Sequence, residues 1–131
     1  MRILDRRDSV LKVASEDQEQ AAFVRWFRLQ FPGEIIFAIP NGGHRTKSVA
    51  AKMKWTGTLP GVWDLFCPDR RLWIEMKRSD RGKLSSVQKK FGEHMLKLNY
   101  RCIVAWGCED AINQIINGER AEWVKPKTNR R

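Results

Sequence analysis

Apolar positions along this chain change period several times, and each change marks an element. Phe23, Val24 and Phe27 recur at helical spacing within residues 16–30. Ser15 and Gln18 have capping-box spacing, and Glu16 and Asp17 fall in the first turn, where the helix dipole favours acids. Pro32-Gly33 ends that helix, and the apolar run 34–39 predicts a strand. Residues 40–45 read as a loop, 46–55 as a short basic helix, and 56–61, with two Gly and a Pro, as a loop again. Residues 62–77 read as a hairpin of two apolar strands around Pro68-Asp69-Arg70-Arg71. A second capping box, Ser85 with Gln88, opens a helix to about residue 99. Arg101 to Trp106 is an apolar strand, and Glu109 to Asn117 a helix stopped by Gly118. The order is αβ(α)ββαβα. Its strand–helix–strand unit, 72–106, predicts a parallel crossover and therefore a mixed α/β sheet flanked by helices.

The length, 131 residues, suits one domain. The pattern divides it into an N-terminal arm, 1–14, a folded domain, 15–118, and a basic C-terminal tail, 119–131. Charge adds more: 25 Lys and Arg stand against 15 Asp and Glu, a net +10. Lys125, Lys127, Arg130 and Arg131 carry four of those charges, so the folded body is basic as well. A compact basic domain meets a polyanion, most often nucleic acid. Cys67, Cys102 and Cys108 are odd in number and lack Cys-x-x-Cys spacing. They read as free thiols of a reducing cytosol, with no zinc site. No apolar run approaches the length of a membrane span, so a cytoplasmic protein without a membrane partner is expected.

The hairpin carries the candidate chemistry. Residues two apart on a strand share a face, so Glu75 and Lys77 project together while Ile74 and Met76 face the other way. Folding the hairpin brings Asp64 towards that pair. Two carboxylates and an ammonium on half-buried strands of a basic chain suggest a metal-dependent phosphodiesterase. The competing reading makes Asp64 a strand-entry cap and Glu75–Lys77 an exposed pair. Glu16 has its own competing role at the helix dipole, with Glu19 as the second candidate for an acidic group from that helix. Gln88 has a competing role in the capping box.

Pro60-Gly61-x-x-Asp64, Glu75-x-Lys77 and Gly82-x-Leu84-Ser85-x-x-Gln88 resemble the signature of the VRR-NUC domain, a branch of the PD-(D/E)XK nuclease superfamily. Ser15-Glu16-x-x-x-Gln20 and Pro40-Asn41-Gly42-Gly43-x-Arg45 are similar to segments of its small stand-alone phage and bacterial members. The likeness runs from about Ser15 to Ile116. It implies a restriction-endonuclease-like αβββαβ core, here with a basic helix inserted after the first strand. It also implies Mg²⁺ or Mn²⁺ as cofactor. Asp64 and Glu75 would be metal-binding carboxylates, joined by the main-chain carbonyl of Met76 and by Glu16, directly or through water. Lys77 would position or deprotonate the attacking water, and Gln88 and Gln20 would orient the site or its substrate. Trp63 departs from the small residue or Pro usual before the Asp, and a packing consequence is expected.

The basic residues around this site suggest a path for DNA: Asn41, His44, Arg45 and Lys47 before the hairpin, Arg78, Arg81 and Lys83 after it, and Lys89 on the next helix. No base-reading motif stands out, so structure-selective backbone binding is expected. Small family members resemble Holliday-junction resolvases in acting as homodimers on branched DNA, and exposed aromatics among Trp55, Trp63, Trp73, Trp106 and Trp123 would supply such an interface. A phage or bacterial host cell is implied only by that resemblance. The alternatives are a monomeric nickase or flap nuclease, and a non-catalytic basic DNA-binding module.

Overall fold

The structure, a computed structural model, describes residues 13–40 and 46–127. Helix α1 is Glu16–Gln30, strand β1 Phe37–Ala38, helix α2 Lys47–Trp55 and strand β2 Leu65–Cys67. A 3-10 turn, Pro68–Arg70, leads to β3, Leu72–Lys77, followed by α3, Ser86–Lys97, β4, Arg101–Trp106, and α4, Cys108–Asn117. Both capping boxes form: the Ser15 and Ser85 hydroxyls each accept the N–H three residues on, and Gln18 and Gln88 reach back to the cap N–H. The four strands lie in the order β1-β2-β3-β4. The first two pairings are antiparallel, and β3–β4 is the parallel crossover, with Glu75 opposite Val104 and Lys77 opposite Trp106.

Strict alternation on β3 divides the interior into two layers. Leu72, Ile74 and Met76 join Phe23, Phe27, Ile103 and Ala111 in a core between the sheet and helices α1 and α4. On the other face Trp63, Cys102, Val104 and Trp106 pack with Trp73, Phe91, Met95 and Trp123, so α3 covers this side. Glu75 and Lys77 share the α3 face, as the spacing predicts.

The sequence pattern overstates two strands. Of the run 34–39 only Phe37–Ala38 is strand. The Ile35 N–H donates to the Asp69 carboxylate at 2.7 Å, and the Ile36 carbonyl accepts from the Arg28 guanidinium at 3.0 Å, so side chains take the bonds a longer ladder would need. Likewise β2 begins at Leu65 rather than 62, because the Asp64 N–H is taken by a Glu75 carboxylate oxygen.

The outer edge of β4 is closed by side chains from beyond it. Gln114 and Arg120 donate to the Val104 carbonyl at 2.9 and 3.2 Å, and the Trp123 indole donates to Cys102 O at 3.2 Å. That blunts an edge that would otherwise template pairing with another chain. It also joins the segment after α4 to the body, together with the Arg120–Asp110 ion pair and the Trp123–Trp63 ring contact. All three cysteines are free, and burial pushes the Cys67 and Cys102 thiols up to about 12, which leaves them unreactive. Among the described residues no helix is long and apolar enough to cross a membrane.

Candidate active site

Asp64, Glu75, Lys77 and Gln88 meet on the α3 face of the sheet. Their links are short and reciprocal. Glu75 uses both carboxylate oxygens: one accepts the Asp64 N–H at 3.2 Å, and the other accepts the Gln88 amide at 2.9 Å and pairs with the Lys77 ammonium at 3.2 Å. The Asp64 carboxylate accepts the Met76 N–H at 2.9 Å. The Lys77 Nζ donates to the Gln88 side-chain oxygen at 2.9 Å. Glu75 is 2% exposed and Lys77 7%, so the hairpin has carried charged groups nearly out of water.

Gln88 closes the capping box and also reaches the buried pair. Its Oε1 accepts from the Ser85 N–H and from Lys77, while its Nε2 donates to Glu75. The cap that starts α3 therefore also sets the rotamers of the buried pair. Sequence reasoning missed what holds that helix in place. Trp63 does pack away from the carboxylates, but its indole N–H donates to the Gln88 carbonyl at 2.8 Å and its ring lies against Gly92. The signal was available as a Trp beside Asp64 and a Gly at mid-helix, though neither names the other.

Burial decides the electrostatics. Desolvation, reinforced by the charge of Asp64 and only partly offset by Lys77, pushes the Glu75 carboxyl up to about 8. Burial also raises Asp64, against the stabilising Met76 N–H, and the charge of Glu16 adds to that rise. The N-terminal turn of α1 thus brings Glu16 to the carboxylate side of the site, with Glu16 itself exposed. Glu19 is elsewhere: its carboxylate accepts the Cys108 N–H at the start of α4.

These shifts set a stability dependence. Glu75 ionises near its usual 4.5 in the unfolded chain and near 8 when folded. Between those values the unfolded chain holds fewer protons, so stability is full below about pH 4.5 and is lost as pH rises through 8. Asp64, also raised, works in the same direction. In EDTA the melting temperature is expected to fall by roughly 10 °C from pH 5 to pH 8. Glu75→Gln should flatten that profile; a profile as steep in the variant would place the titration elsewhere.

The donor set fits a hard cation. Its carboxylates offer oxygen ligands, and burial, with the charge of Asp64 on Glu75 and of Glu16 on Asp64, holds both carboxyls above their ordinary range. Among the described residues no three His, Cys, Asp or Glu side chains stand together as a complete ligand cage.

The other residues singled out from the sequence spread around this centre. Arg78 is half-buried and paired with Asp80 at 2.9 Å, and Arg81, Lys83 and Lys89 are exposed on the segments that follow Lys77. Lys47 is exposed on α2, whereas Gln20 lines a shallow cleft between α1 and β1 with Asp17, Arg28 and Ala38. Asn41, His44 and Arg45 lie outside the described residues.

No family model and no curated protein matches the chain. Among solved structures it is similar to one described as a "VRR_NUC domain protein", with 28% identity and a TM-score of 0.65 over 79% of this chain and 87% of that one. That likeness covers nearly the whole of the other chain, and it coincides with a four-stranded mixed sheet flanked by helices and with a hairpin that brings Asp64, Glu75 and Lys77 together. On these grounds the likeness supports a VRR-NUC domain in this chain, whose four-stranded mixed sheet flanked by helices matches that fold.

Proposed function

We propose that this chain is a metal-dependent endonuclease that hydrolyses DNA phosphodiesters, with structure rather than sequence selecting the substrate. The observation that carries the reading is the buried Asp64–Glu75–Lys77 cluster, whose carboxyls are both held above their usual range by burial, with the charge of Asp64 raising Glu75 further. Asp64 and Glu75 would hold Mg²⁺ or Mn²⁺, with the Met76 carbonyl and Glu16, the latter directly or through water. When bound, the metal supplies positive charge for the phosphate and lowers the pKa of water.

The chain's own residues do the rest. Glu75 is oriented at both oxygens, so its donor geometry exists before substrate arrives. Gln88 holds the Lys77 ammonium beside the carboxylates, where it can orient the attacking water or meet charge on the phosphate oxygens. Arg81, Lys83, Lys89 and Lys47 are exposed cations available to neighbouring phosphates. Replacing Gln88 by Ala should lower single-turnover cleavage roughly 10- to 100-fold, as loss of an orienting partner does, while Ser85 still caps the helix. An unchanged rate would reduce Gln88 to a cap.

Branched DNA cut by a homodimer is the first specific form of this reading, because a four-way junction needs two symmetric cuts and a twofold dimer of one-site subunits supplies them. A monomeric nickase or flap nuclease is the second. It gains from the burial pattern: of the five Trp candidates for a dimer surface, Trp63, Trp73, Trp106 and Trp123 are packed in the second core, leaving Trp55 exposed. The deciding assay compares a four-way junction, a flap and a linear duplex in Mg²⁺, Mn²⁺ or EDTA. Paired symmetric cuts in the junction support the dimer, cuts in the flap or duplex support the monomer, and binding without metal-dependent cutting leaves a non-catalytic DNA-binding module.

A further inference from the structure

Helix α2 does not earn its place by packing. None of its residues is buried, and its last residue, Trp55, is 85% exposed. The other five Trp are buried or half-buried. A nine-residue helix is marginal alone, and this one starts with Lys47, whose charge opposes the helix dipole. What holds it is local: the Thr46 hydroxyl accepts the Val49 N–H, and Thr56, Gly57 and Thr58 fold their N–H groups back onto Lys52, Lys54 and Met53.

Its position is more telling. The excursion that contains α2 leaves the sheet after β1 and returns at β2, and at its root the Ile39 N–H donates to the Asp64 carbonyl at 2.8 Å. On the return, Gly61 runs so close to α3 that a Cβ there would lie 2.7 Å from the Val87 carbonyl. The excursion thus leaves the sheet beside Asp64 and returns against α3 at Val87. The nine residues from Trp55 to Asp64 limit their separation to about 30 Å, and the folded-back turn shortens it.

The helix's faces also select its ligand. At about 100° per residue, Val49 and Met53 share one side, and Trp55 stands on the other, between Lys52 and the Lys47–Lys54 side. A membrane-lying helix would put Trp with Val and Met, away from the lysines. A second copy of the chain docking here by twofold symmetry would oppose three lysines with three lysines. An aromatic ring set among cations that make no ion pair among the described residues instead matches a polyanion whose units carry flat π-faces.

We propose that α2 is a nucleic-acid clamp, in which Trp55 stacks on an unpaired base and Lys47, Lys52 and Lys54 hold the adjoining phosphates. The clamp takes its ligand class from the nuclease reading, and it gives the site a preference for DNA with an unpaired strand beside the scissile bond.

The test measures binding of the full chain, in EDTA so that nothing is cut, to a labelled single-stranded oligonucleotide and to a blunt duplex. Trp55→Ala should weaken single-strand binding about tenfold or more and duplex binding little, and Trp55→Phe should restore most of the loss. Lys52→Ala with Lys54→Ala should weaken both and reduce the single-strand salt slope by about 1.4. Because Trp55 is exposed, the melting temperature should not move. Unchanged single-strand affinity in Trp55→Ala would overturn the clamp, as would an equal loss on both DNAs, a loss confined to anionic vesicles, or a change in sedimentation from dimer to monomer. Failure of the wild type to cleave any DNA in Mg²⁺ or Mn²⁺ would sink the nuclease reading and leave these binding results to decide the clamp.

Discussion

Asp64→Asn is expected to lower Mg²⁺- or Mn²⁺-dependent cleavage by about 10³-fold or more, while DNA affinity in EDTA stays within a few-fold of wild type. The substitution is close to isosteric, and the Asn carbonyl oxygen can still accept the Met76 N–H that Asp64 accepts at 2.9 Å. What it removes is charge. Asp64 is the largest electrostatic reason, after burial itself, that Glu75 ionises near 8. The variant should therefore be at least as stable as wild type at pH 8 without metal, with a shallower loss of stability on going up from pH 5. The pairing of effects is the informative part, because a structural Asp64 would lower stability and leave no metal-dependent activity to lose. Single-turnover cleavage, anisotropy in EDTA and melts at pH 5 and 8 check all three arms. A variant that cleaves at the wild-type rate removes Asp64 from the mechanism. Glu75→Gln, measured beside it, separates the role of the pair from that of either carboxylate.

The parts of this molecule that were legible in the sequence are those set by local rules. Both capping boxes, the α1 and β4 boundaries, the parallel crossover and the shared face of Glu75 and Lys77 follow from spacings of two, three or four residues. The short insert after the first strand was also readable as a helix, from Thr46 at its cap and its alanines and lysines. The strand lengths were not. Asp69 and Ile35 are 34 residues apart, and no local pattern reveals that a turn carboxylate will take a strand's N–H.

The candidate site divides along the same line. Asp64, Glu75 and Lys77 were placed by the hairpin alone, whereas which of Glu16 and Glu19 lies nearer to Asp64 depends on the packing of α1 against α4. Glu19 is drawn off to the Cys108 N–H, 89 residues on, while Glu16 remains near enough to Asp64 to raise its proton affinity. The second core was also hidden. Five aromatics that looked available for an interface reduce to one, because Trp63, Trp73, Trp106 and Trp123 come from four separate segments and meet only when α3 closes over the sheet.

That second core gives the largest stability effect. Trp63→Ala is expected to cost about 3–5 kcal/mol, and Gly92→Ala about 1–3 kcal/mol or more. Trp63 is fully buried, its ring centroid 5.0 Å from that of Trp123 and 6.4 Å from that of Phe91. Truncating it leaves a cavity that only backbone movement of α3 could fill. Gly92 is the other half of the same contact: a Cβ there would lie 2.4 Å from the Trp63 ring and 2.6 Å from the Trp123 ring, both held by hydrogen bonds at their indole nitrogens. Neither ring is a free end that can swing aside, so even one methyl must displace the helix. Displacing α3 moves Gln88, whose carbonyl Trp63 holds and whose side chain sets Glu75 and Lys77. Gly92→Ala should therefore lose activity at temperatures where it is still folded. Trp63→Phe, which keeps most of the volume and loses the bond to Gln88, should show a smaller stability loss and a comparable activity loss. Urea melts combined with single-turnover rates well below each melting temperature make the check. If Gly92→Ala keeps both wild-type stability and wild-type rate, α3 is not seated on Trp63 as described, and the route from the second core to the carboxylates fails with it.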